Sequence, residues 1–246
     1  MIKTIQSEDE KENRAKLKEL YQKNPIFENE IVNNVGVFLK RQELSKILFL
    51  NEIYSKIKNI HGVIMEFGVR WGQNLTTLNN LRGIYEPYNH SRKIIGFDTF
   101  EGFSGVSKQD GNYEYNKSGA FNVTKDYDEY LAQVLRSHEN ECPLRHIDKN
   151  FLIKGDATKT LKNYLDLHPE TIIAFAYFDF DLYKPTLECL KIIKPYLTKG
   201  SIIGFDELCD PGFPGETIAL REVLGTNNFK IKRNKFSGIQ SYFSYS

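Results

Sequence analysis

Residues 172–183, IIAFAYFDFDLY, and residues 201–207, SIIGFDE, decide the fold of this chain. The first run is apolar from Ile172 to Phe178, and at that length it predicts a strand buried on both faces. Pro185 stands where a helix can begin, and Lys199-Gly200 stands where it can end. Between them, apolar residues recur at helical spacing: Leu187, Leu190, Ile193 and Leu197. The second run predicts another buried strand.

This strand–helix–strand unit brings four acidic residues together. Its two strands are expected to be parallel neighbours joined by a right-handed crossover. Asp179 and Asp181 follow the first strand, and Asp206 and Glu207 follow the second. Because the carboxyl ends of parallel strands share one edge of a sheet, where ligands bind, we expect these acids to converge in one crevice.

Composition narrows the class of protein. The chain has 246 residues, a formal net charge of +1 and three cysteines without metal-ligand spacing. This net charge gives no reason to expect nucleic-acid binding, and no apolar run approaches the roughly 20 residues of a membrane span. Sparse cysteines and a polar N-terminus favour a reducing cytoplasm. We therefore expect a cytoplasmic protein that binds neither nucleic acid nor membrane.

The order of predicted elements is that of an α/β domain with an N-terminal helical extension. Residues 1–60 predict a short helix broken at Asn24-Pro25 and a longer helix from about Phe38 to Ile57. The longer helix has an apolar stripe: Leu44, Ile47, Leu48, Ile53, Tyr54 and Ile57. We expect it to pack on the sheet or on a second subunit, which leaves a homodimer open, with a substrate-binding cap as the alternative. Residues 61–246 predict a mainly parallel seven-stranded sheet flanked by helices.

A glycine turn follows the first strand, which begins at Val63. Glu66 lies near the strand end, Gly68 permits a tight turn, and Gly72 permits a ligand to approach the N-terminus of a helix beginning at about Asn74. The spacing is not G-x-G-x-x-G, so a dinucleotide pyrophosphate fits poorly. An acid at this point suits a cofactor that carries a cation and an amino-acid group.

Two further predicted strands end in acids whose roles are open. Asp98 stands where ribose hydroxyls are usually held, or it caps the turn that follows. Asp156 contacts an adenine amino group, or it caps the next helix. Residues 103–126 are polar and glycine-containing without apolar periodicity, which predicts a lid-like insertion or a disordered surface loop.

Acids at the ends of five predicted strands indicate a site that holds ribose, a cation, or both. The oxygen-only cluster of Asp179, Asp181, Asp206 and Glu207 suits magnesium, or else manganese or calcium. Crowded carboxylates without a cation would raise one another's pKa, which is costly unless it is used. The competing interpretation is that these acids cap helices and end solvated strands.

Three linked motifs carry a family resemblance. The strand with Glu66-x-Gly68, followed by Asp98, Asp156 and DFDLY, resembles class I S-adenosylmethionine-dependent methyltransferases. More narrowly, FDTFEGF at 97–103, DFDLYKPT at 179–186 and the strand ending in Asp206-Glu207 resemble the macrocin O-methyltransferase (TylF-like) family. This chain has Pro185 where that family has Ser, and Glu207 where it has Asp.

The resemblance implies a Rossmann-like fold, S-adenosyl-L-methionine as the methyl donor and a divalent ion, Mg²⁺ or Mn²⁺. By position, Asp179, Asp206 and Glu207 would hold the ion, with Asp181 as the alternative to Asp179, and Asp179 would act as the general base. The implied donor-binding residues are Glu66, Gly68, Arg70, Gly72, Asn74, Asp98, Thr99, Phe100, Asp156, Ala157 and Asp179. The candidates for contact with the acceptor are Asp181, Tyr183 and Trp71.

The implied function is O-methylation of a sugar hydroxyl on a nucleotide-linked or glycan sugar. Such a reaction belongs to bacterial polysaccharide synthesis, capsular polysaccharide included, or to natural-product synthesis. A catechol or another aromatic diol is an alternative acceptor, because a metal and an acid would serve it equally. A nicotinamide-dependent sugar oxidoreductase is disfavoured by the glycine spacing, and a non-enzymatic binding domain would leave the acids idle.

Overall fold

A computed structural model describes residues 7–246 of the chain. The chain divides into two compact units, one ending at Ser45 and one spanning Lys46–Ser246. The α-helices are α1 (Glu8–Gln22), α2 (Arg41–Ile57), α3 (Gln73–Tyr85), α4 (Tyr127–Asn140), α5 (Ala157–Leu167), α6 (Tyr183–Ile193) and α7 (Gly215–Val223). The strands are β1 (Val63–Phe67), β2 (Ile94–Asp98), β3 (Asn150–Lys154), β4 (Ile173–Phe178), β5 (Leu197–Phe205), β6 (Lys232–Arg233) and β7 (Ser241–Ser244).

The first unit begins with a capped helix. The Ser7 hydroxyl accepts the Glu10 N–H, and the Glu10 carboxylate accepts the Ser7 N–H, which together form the capping box of α1. The predicted break at Asn24-Pro25 is confirmed, because α1 ends at Gln22. The predicted start of the longer helix at Phe38 is wrong, since Val35–Phe38 is a separate 3₁₀ turn.

The second unit is built on one mixed sheet, in the strand order β3-β2-β1-β4-β5-β7-β6. Neighbours from β3 to β5 are parallel, while β7 is antiparallel to both β5 and β6. One face packs on α5, α6 and α7, and the other on α2, α3 and α4. The predicted Rossmann-like sheet and its neighbouring parallel strands β4 and β5 are confirmed.

Helix α2 covers the sheet with a different apolar face from the predicted one. Its buried residues are Phe49, Leu50, Ile53, Tyr54 and Ile57, and they pack among residues of β1, β4 and β5. Leu44 and Leu48, which the predicted stripe includes, are exposed. The prediction that this helix packs on the sheet is therefore confirmed, but its contact face was assigned partly wrongly.

The end of α6 and the closing strand pair also differ from the prediction. Pro195 has no N–H for a helical hydrogen bond, so the chain leaves α6 at Ile193 for a 3₁₀ turn, and β5 begins at Leu197 instead of after Gly200. The closing strands β6 and β7 are shorter than the runs 229–233 and 238–245 that the sequence pattern predicts. Phe229 lies outside them, with its ring stacked on Phe243 at 4.5 Å between centroids.

A row of phenylalanines crosses the sheet near its carboxyl edge and positions the residues that follow. Phe67 stacks on Phe97 at 5.3 Å and on Phe178 at 4.7 Å, and Phe178 stacks on Phe205 at 5.3 Å between ring centroids. Each of these side chains is fully buried. Because the rings hold β2, β1, β4 and β5 level with one another, the residues after each strand emerge side by side at one edge.

Candidate active site

Asp179 and Asp206 stand side by side at this edge, directly after β4 and β5. The Asp179 N–H donates to the Phe67 carbonyl at 2.8 Å, and the Asp206 N–H donates to the Phe178 carbonyl at 2.9 Å. The sheet's hydrogen bonding therefore continues through both acids, which fixes their backbones. The predicted convergence of these two acids is present in the structure.

Lys46 of α2 lies between the two carboxylates. Its Nζ is 3.2 Å from Asp179 Oδ2 and 3.0 Å from Asp206 Oδ1, and the three side chains retain only 19%, 23% and 14% of their exposure. Burial lowers the pKa of Lys46, but the two carboxylates outweigh burial and raise it above its ordinary value. The sequence analysis missed this lysine. Lys46 lies at helical spacing from Phe49, Leu50 and Ile53 on the buried face of α2, and this spacing could have indicated that it faces the sheet.

Asp206 has three partners on one of its carboxylate oxygens. Its Oδ1 accepts the Tyr177 hydroxyl at 2.6 Å and the Gln240 amide at 3.0 Å, besides Lys46. Burial alone would raise the pKa of Asp206, but Lys46 and these hydrogen bonds outweigh it and hold the pKa below its usual value. Tyr177 and Gln240 were not predicted as site residues.

The neighbouring acids carry an excess of negative charge. Burial and the charge of Asp206 raise the pKa of Asp179 to about 6. Burial, with Asp181 and Asp206, raises the pKa of Glu207 to about 9, and Glu207 Oε2 is buried without a hydrogen-bond partner. The pKa of Asp181 is likewise raised by burial and by Asp179. A further cation would therefore stabilise the ionised cluster.

Glu216, at the start of α7, is a buried acid that the sequence analysis did not identify as a site residue. Its Oε1 accepts the Phe180 N–H at 3.0 Å, and its Oε2 has no hydrogen-bond partner. Burial and the charge of Asp181 raise its pKa. Glu216 thus accepts a hydrogen bond from the backbone between Asp179 and Asp181 and stabilises the conformation of that segment.

The glycine turn after β1 brings unpaired acceptors beside Asp179. Glu66 is fully buried, and neither of its carboxylate oxygens has a hydrogen-bond partner, nor does Asn74 Oδ1. The Asn74 amide donates to Asp179 Oδ2 at 3.3 Å. Burial, and then Asp179, raises the pKa of Glu66. Buried acceptors without donors are costly, so this pocket suits a ligand that brings a cationic donor.

Both glycines of the turn are required by their surroundings. Gly68 has φ +94°, and a Cβ there would collide with the Asp179 carbonyl oxygen. Gly72 has φ +78° and precedes α3, where a Cβ would collide with the Leu131 side chain. The structure thus shows a packing reason for Gly72 in addition to the predicted approach of a ligand.

Asp98 braces the glycine turn from the neighbouring strand. Its Oδ2 accepts the N–H groups of Val69 and Arg70, both at 2.7 Å, and its Oδ1 accepts the Phe100 N–H at 2.6 Å. Thr99 Oγ1 donates to the Gly102 carbonyl at 3.0 Å. The turn-capping role left open by the sequence is therefore present, and a ribose would have to share this carboxylate.

Asp156 caps α5, as one of its two predicted roles requires. Its Oδ1 accepts the Thr158 N–H at 3.0 Å and the Thr158 hydroxyl at 2.7 Å. Ala157 is the buried first residue of that helix. Both residues lie after β3, on the same sheet edge as Asp98.

Backbone strain is concentrated at this edge. Four residues that are not glycine have positive φ immediately beyond the ends of β1, β2, β4 and β5, within four positions of each strand: Arg70 (48°), Phe100 (58°), Asp181 (62°) and Cys209 (65°). Such conformations are unfavourable for side chains with a Cβ and cluster at functional sites. Three of the four are predicted site residues.

The three acceptor candidates are in different environments. Asp181 stands in the acid cluster. Trp71 is exposed and meets the Tyr127 ring edge-on at 4.8 Å between centroids. The Tyr183 hydroxyl donates to Glu222 at 2.8 Å, so the structure does not bring it to the acids.

The insertion at 103–126 is tied down beside the acids. Buried Asp110 accepts the Tyr183 N–H, which begins α6, as well as the Ser107 hydroxyl at 2.6 Å. Asn116 donates to the Gly212 carbonyl at 3.2 Å. The Arg70 guanidinium lies over the Phe121 ring at 4.9 Å. These contacts dock the insertion on the loops around the acids.

The donor chemistry of the acids fits a hard divalent ion, because the ligands are all oxygens and Glu207 Oε2 has no other partner. Their present arrangement is not that of a metal site. Within residues 7–246, no group of three or more His, Cys, Asp or Glu side chains is placed to hold an ion. Lys46 takes the position between Asp179 and Asp206.

Comparison with known proteins identifies the family. No family profile matches the chain, and no curated protein matches its sequence. The crystal structure of CalS11, described as a calicheamicin methyltransferase, is 42% identical, with a TM-score of 0.96 over 99% of this chain and 95% of that one. The chain belongs to the class I S-adenosylmethionine-dependent O-methyltransferases. The predicted family is thus confirmed, and the narrower TylF-like resemblance is consistent with this neighbour.

A second structure of CalS11 supports the assignment to these methyltransferases, and a further structure supports the fold. The apo structure of CalS11, described as TDP-rhamnose 3'-O-methyltransferase in calicheamicin biosynthesis, is 39% identical, with a TM-score of 0.87 over 99% of this chain and 97% of that one. The O-methyltransferase NovP is 15% identical, with a TM-score of 0.62 over 82% of this chain and 80% of that one. At that identity NovP supports the fold alone.

Proposed function

We propose that this methyltransferase transfers the methyl group of S-adenosylmethionine to a hydroxyl of a sugar, carried on a nucleotide or a glycan. The proposal places the reaction in natural-product or polysaccharide synthesis, including capsular polysaccharide. The observation that carries it is the similarity, at 42% and 39% identity over 99% of the chain, to CalS11, which is described as acting on TDP-rhamnose. The acid cluster beside the glycine turn supports it, because a sugar hydroxyl needs a base before it can accept a methyl group.

The donor is expected to lie along the edge from β1 to β3. Glu66 and Asn74 are buried acceptors without donors, and the ammonium of the donor's methionine end would satisfy them. Gly68, Arg70 and Gly72 form the turn beneath that end. We assign the ribose to the loop that carries Asp98, Thr99 and Phe100, and the adenine to Asp156 and Ala157.

Asp179 is the proposed general base. It follows β4 directly, and its carboxylate contacts both Lys46 and Asn74. With a pKa of about 6 it would be mostly ionised near pH 7 while still able to accept a proton. Its rigid backbone would hold the acceptor oxygen in line with the methyl group, which supplies rate through positioning.

Asp179, Asp206 and Glu207 are the proposed holders of Mg²⁺ or Mn²⁺, with Asp181 as the alternative to Asp179. Bound there, such an ion would lower the pKa of the sugar hydroxyl and orient it. Lys46 already neutralises part of the charge of these acids. Trp71, Asp181 and the docked insertion, which Asp110 ties to the Tyr183 N–H, would bound the space for the acceptor.

We also propose a cytoplasmic location. Cys142, Cys189 and Cys209 are all unpaired, as expected in a reducing compartment. In the part of the chain that is described, no helix is long and apolar enough to cross a membrane. A homodimer and the absence of nucleic-acid binding remain predictions.

The first test is calorimetric titration of the purified protein with S-adenosylmethionine, with and without Mg²⁺. It is followed by mass-spectrometric detection of methyl transfer to TDP-rhamnose and, separately, to catechol. We expect donor binding and methylation of the sugar nucleotide. Donor binding with methylation of catechol alone would refute the sugar acceptor, and no donor binding under either condition would refute the whole assignment.

Asp206→Asn tests whether the acid cluster is used. The substitution keeps acceptors for Tyr177 and Gln240 but removes the charge, so the fold should persist while turnover falls about 100-fold or more, a loss of about 3 kcal/mol of transition-state stabilisation. Asp148→Asn is a matched control, because this exposed acid pairs only with Arg136 among the ion pairs of the described residues. Equal turnover of Asp206→Asn and the parent protein would contradict the proposal.

A further inference from the structure

Lys46 holds the position that a divalent ion would need. Its Nζ is 3.0 Å from Asp206 Oδ1 and 3.2 Å from Asp179 Oδ2, and no other ion pair reaches either acid within residues 7–246. Two of the three proposed metal ligands are therefore already engaged by the protein's own cation. A positive ion entering between the same oxygens would meet the ammonium at close range.

The cluster nevertheless has more negative charge than one lysine can balance. Asp181 and Glu207 belong to the same group of interacting acids, and Glu207 Oε2 is buried without a partner. An ion with two positive charges would therefore be attracted by these acids and repelled by Lys46. The balance between the two effects decides the affinity of the site for metal.

A lysine is suited to leave such a position. Its ammonium is carried on a flexible four-carbon stem and is strongly hydrated, so it can move to solvent when another cation takes its partners. The Lys46 side chain retains 19% exposure, so a path to water exists beside the acids. An arginine fork, bound to both carboxylates, would be displaced less readily.

We propose that Lys46 is a tethered counter-ion that competes with the divalent ion for Asp179 and Asp206. The acids hold either the ammonium or the ion, and Lys46 swings toward solvent when the ion binds. Lys46 thereby keeps the acid pair intact without metal and weakens the affinity of the site for metal. This inference rests on the proposed metal-assisted function.

Binding of Mn²⁺ to the full-length protein tests the competition. The electron paramagnetic resonance signal of free Mn²⁺ reports how much ion remains unbound during a titration. We compare the parent protein with Lys46→Met, which removes the charge, and Lys46→Gln, which keeps a donor for the acids. Lys56→Met is the matched control, because Lys56 lies on the same helix and pairs with Glu52 instead.

Removal of the Lys46 charge should tighten Mn²⁺ binding at least tenfold, equivalent to about 1.4 kcal/mol, while Lys56→Met leaves the affinity unchanged. Lys46 variants that bind Mn²⁺ no more tightly than the parent would overturn the proposal, and so would an absence of binding in all of them. Calorimetric binding of S-adenosylmethionine to the same samples is read separately. Tight Mn²⁺ binding without donor binding would refute the proposed function and leave the competition standing.

A second measurement on the parent protein covers the case in which the Lys46 variants do not fold. The protein is treated briefly with acetic anhydride, with and without saturating Mn²⁺, and acetylation of each lysine is read by peptide mass spectrometry. Mn²⁺ should increase acetylation of Lys46 and leave Lys56 unchanged. Unchanged or reduced acetylation of Lys46 in the presence of Mn²⁺ would overturn the proposal.

Discussion

Tyr177→Phe removes one hydroxyl that links the core of the sheet to the candidate site. The Tyr177 side chain is fully buried in β4, and its ring packs against Phe49 and Phe175. Phenylalanine keeps these ring contacts. The substitution therefore deletes little except the hydrogen bond that the hydroxyl donates to Asp206 Oδ1 at 2.6 Å.

The size of the effect follows from the charge of the acceptor. A hydrogen bond to an ionised group contributes about 1.5–3 kcal/mol, against about 0.5–1.5 kcal/mol for a neutral pair. Tyr177→Phe should therefore lower the free energy of unfolding by about 1.5–3 kcal/mol in the parent protein. In an Asp206→Asn background the loss should be about 1 kcal/mol smaller, because the acceptor is then neutral.

Urea unfolding of the four proteins of this double-mutant cycle at pH 7 gives both quantities. Tyr242→Phe is the control, because that hydroxyl of β7 donates to the partly exposed Glu52 at 3.2 Å. Tyr242→Phe should lower the free energy of unfolding by less than about 1 kcal/mol. Its effect should add to that of Asp206→Asn without coupling. A Tyr177→Phe protein as stable as the parent, or an equal loss in both backgrounds, would refute the reasoning.

Two other changes test the glycine turn after β1 and an ion pair away from the candidate site. Gly68→Ala should destabilise the protein by at least about 2 kcal/mol, since its Cβ would meet the Asp179 carbonyl at φ +94°. Thermal melts measure the stability of this variant and of Gly105→Ala, whose added Cβ would have no atom within 4 Å and should have almost no effect. An equally small effect of Gly68→Ala would contradict the predicted collision. Burial alone would raise the pKa of Glu86, but the hydrogen bonds from Arg92, Tyr54 and Asn89 together outweigh burial and lower the pKa below 4.5. These interactions therefore contribute stability above about pH 4.5 that is lost as the pH falls through the folded value. The gap in urea stability between the parent and Glu86→Gln should therefore be about 1.5–3 kcal/mol at pH 7 and shrink at pH 3.5, and a gap that widens in acid would show that the sign is wrong.

The parallel strands and the acids that follow them could be predicted from the sequence because their signals are local. Each parallel strand is a short apolar run, and each acid stands within a few residues of a strand end. The predicted end of α6, at Lys199-Gly200, lies beyond the observed end at Ile193. Pro195 indicated an earlier end, but Leu197, which belongs to β5, continued the helical spacing of apolar residues. A pattern of apolar residues does not by itself separate the last turn of a helix from the start of a strand.

The partners of Asp206 could not be predicted in the same way. Tyr177 lies within an apolar run, and nothing local indicates that its hydroxyl points to the next strand. Gln240 reaches the acid only through the antiparallel pairing of β7 with β5, whose register depends on contacts distant in sequence. Lys46 lies 133 positions before Asp179 in the sequence, although the two side chains are in contact. Such residues become site residues through tertiary contacts alone.

The insertion that lies beside the acids is held by few side chains. Asp110 joins it to the start of α6, Asn116 joins it to Gly212, and Phe121 lies against Arg70. Gly105 and Gly119, on either side of Asp110 and Asn116, have open space where a side chain would stand. We therefore expect substitutions at other positions of the segment to leave the glycine turn after β1 in place. We expect related enzymes to diverge in acceptor preference mainly through this segment, so that new substrates arise by drift at one loop while the chemistry is inherited unchanged.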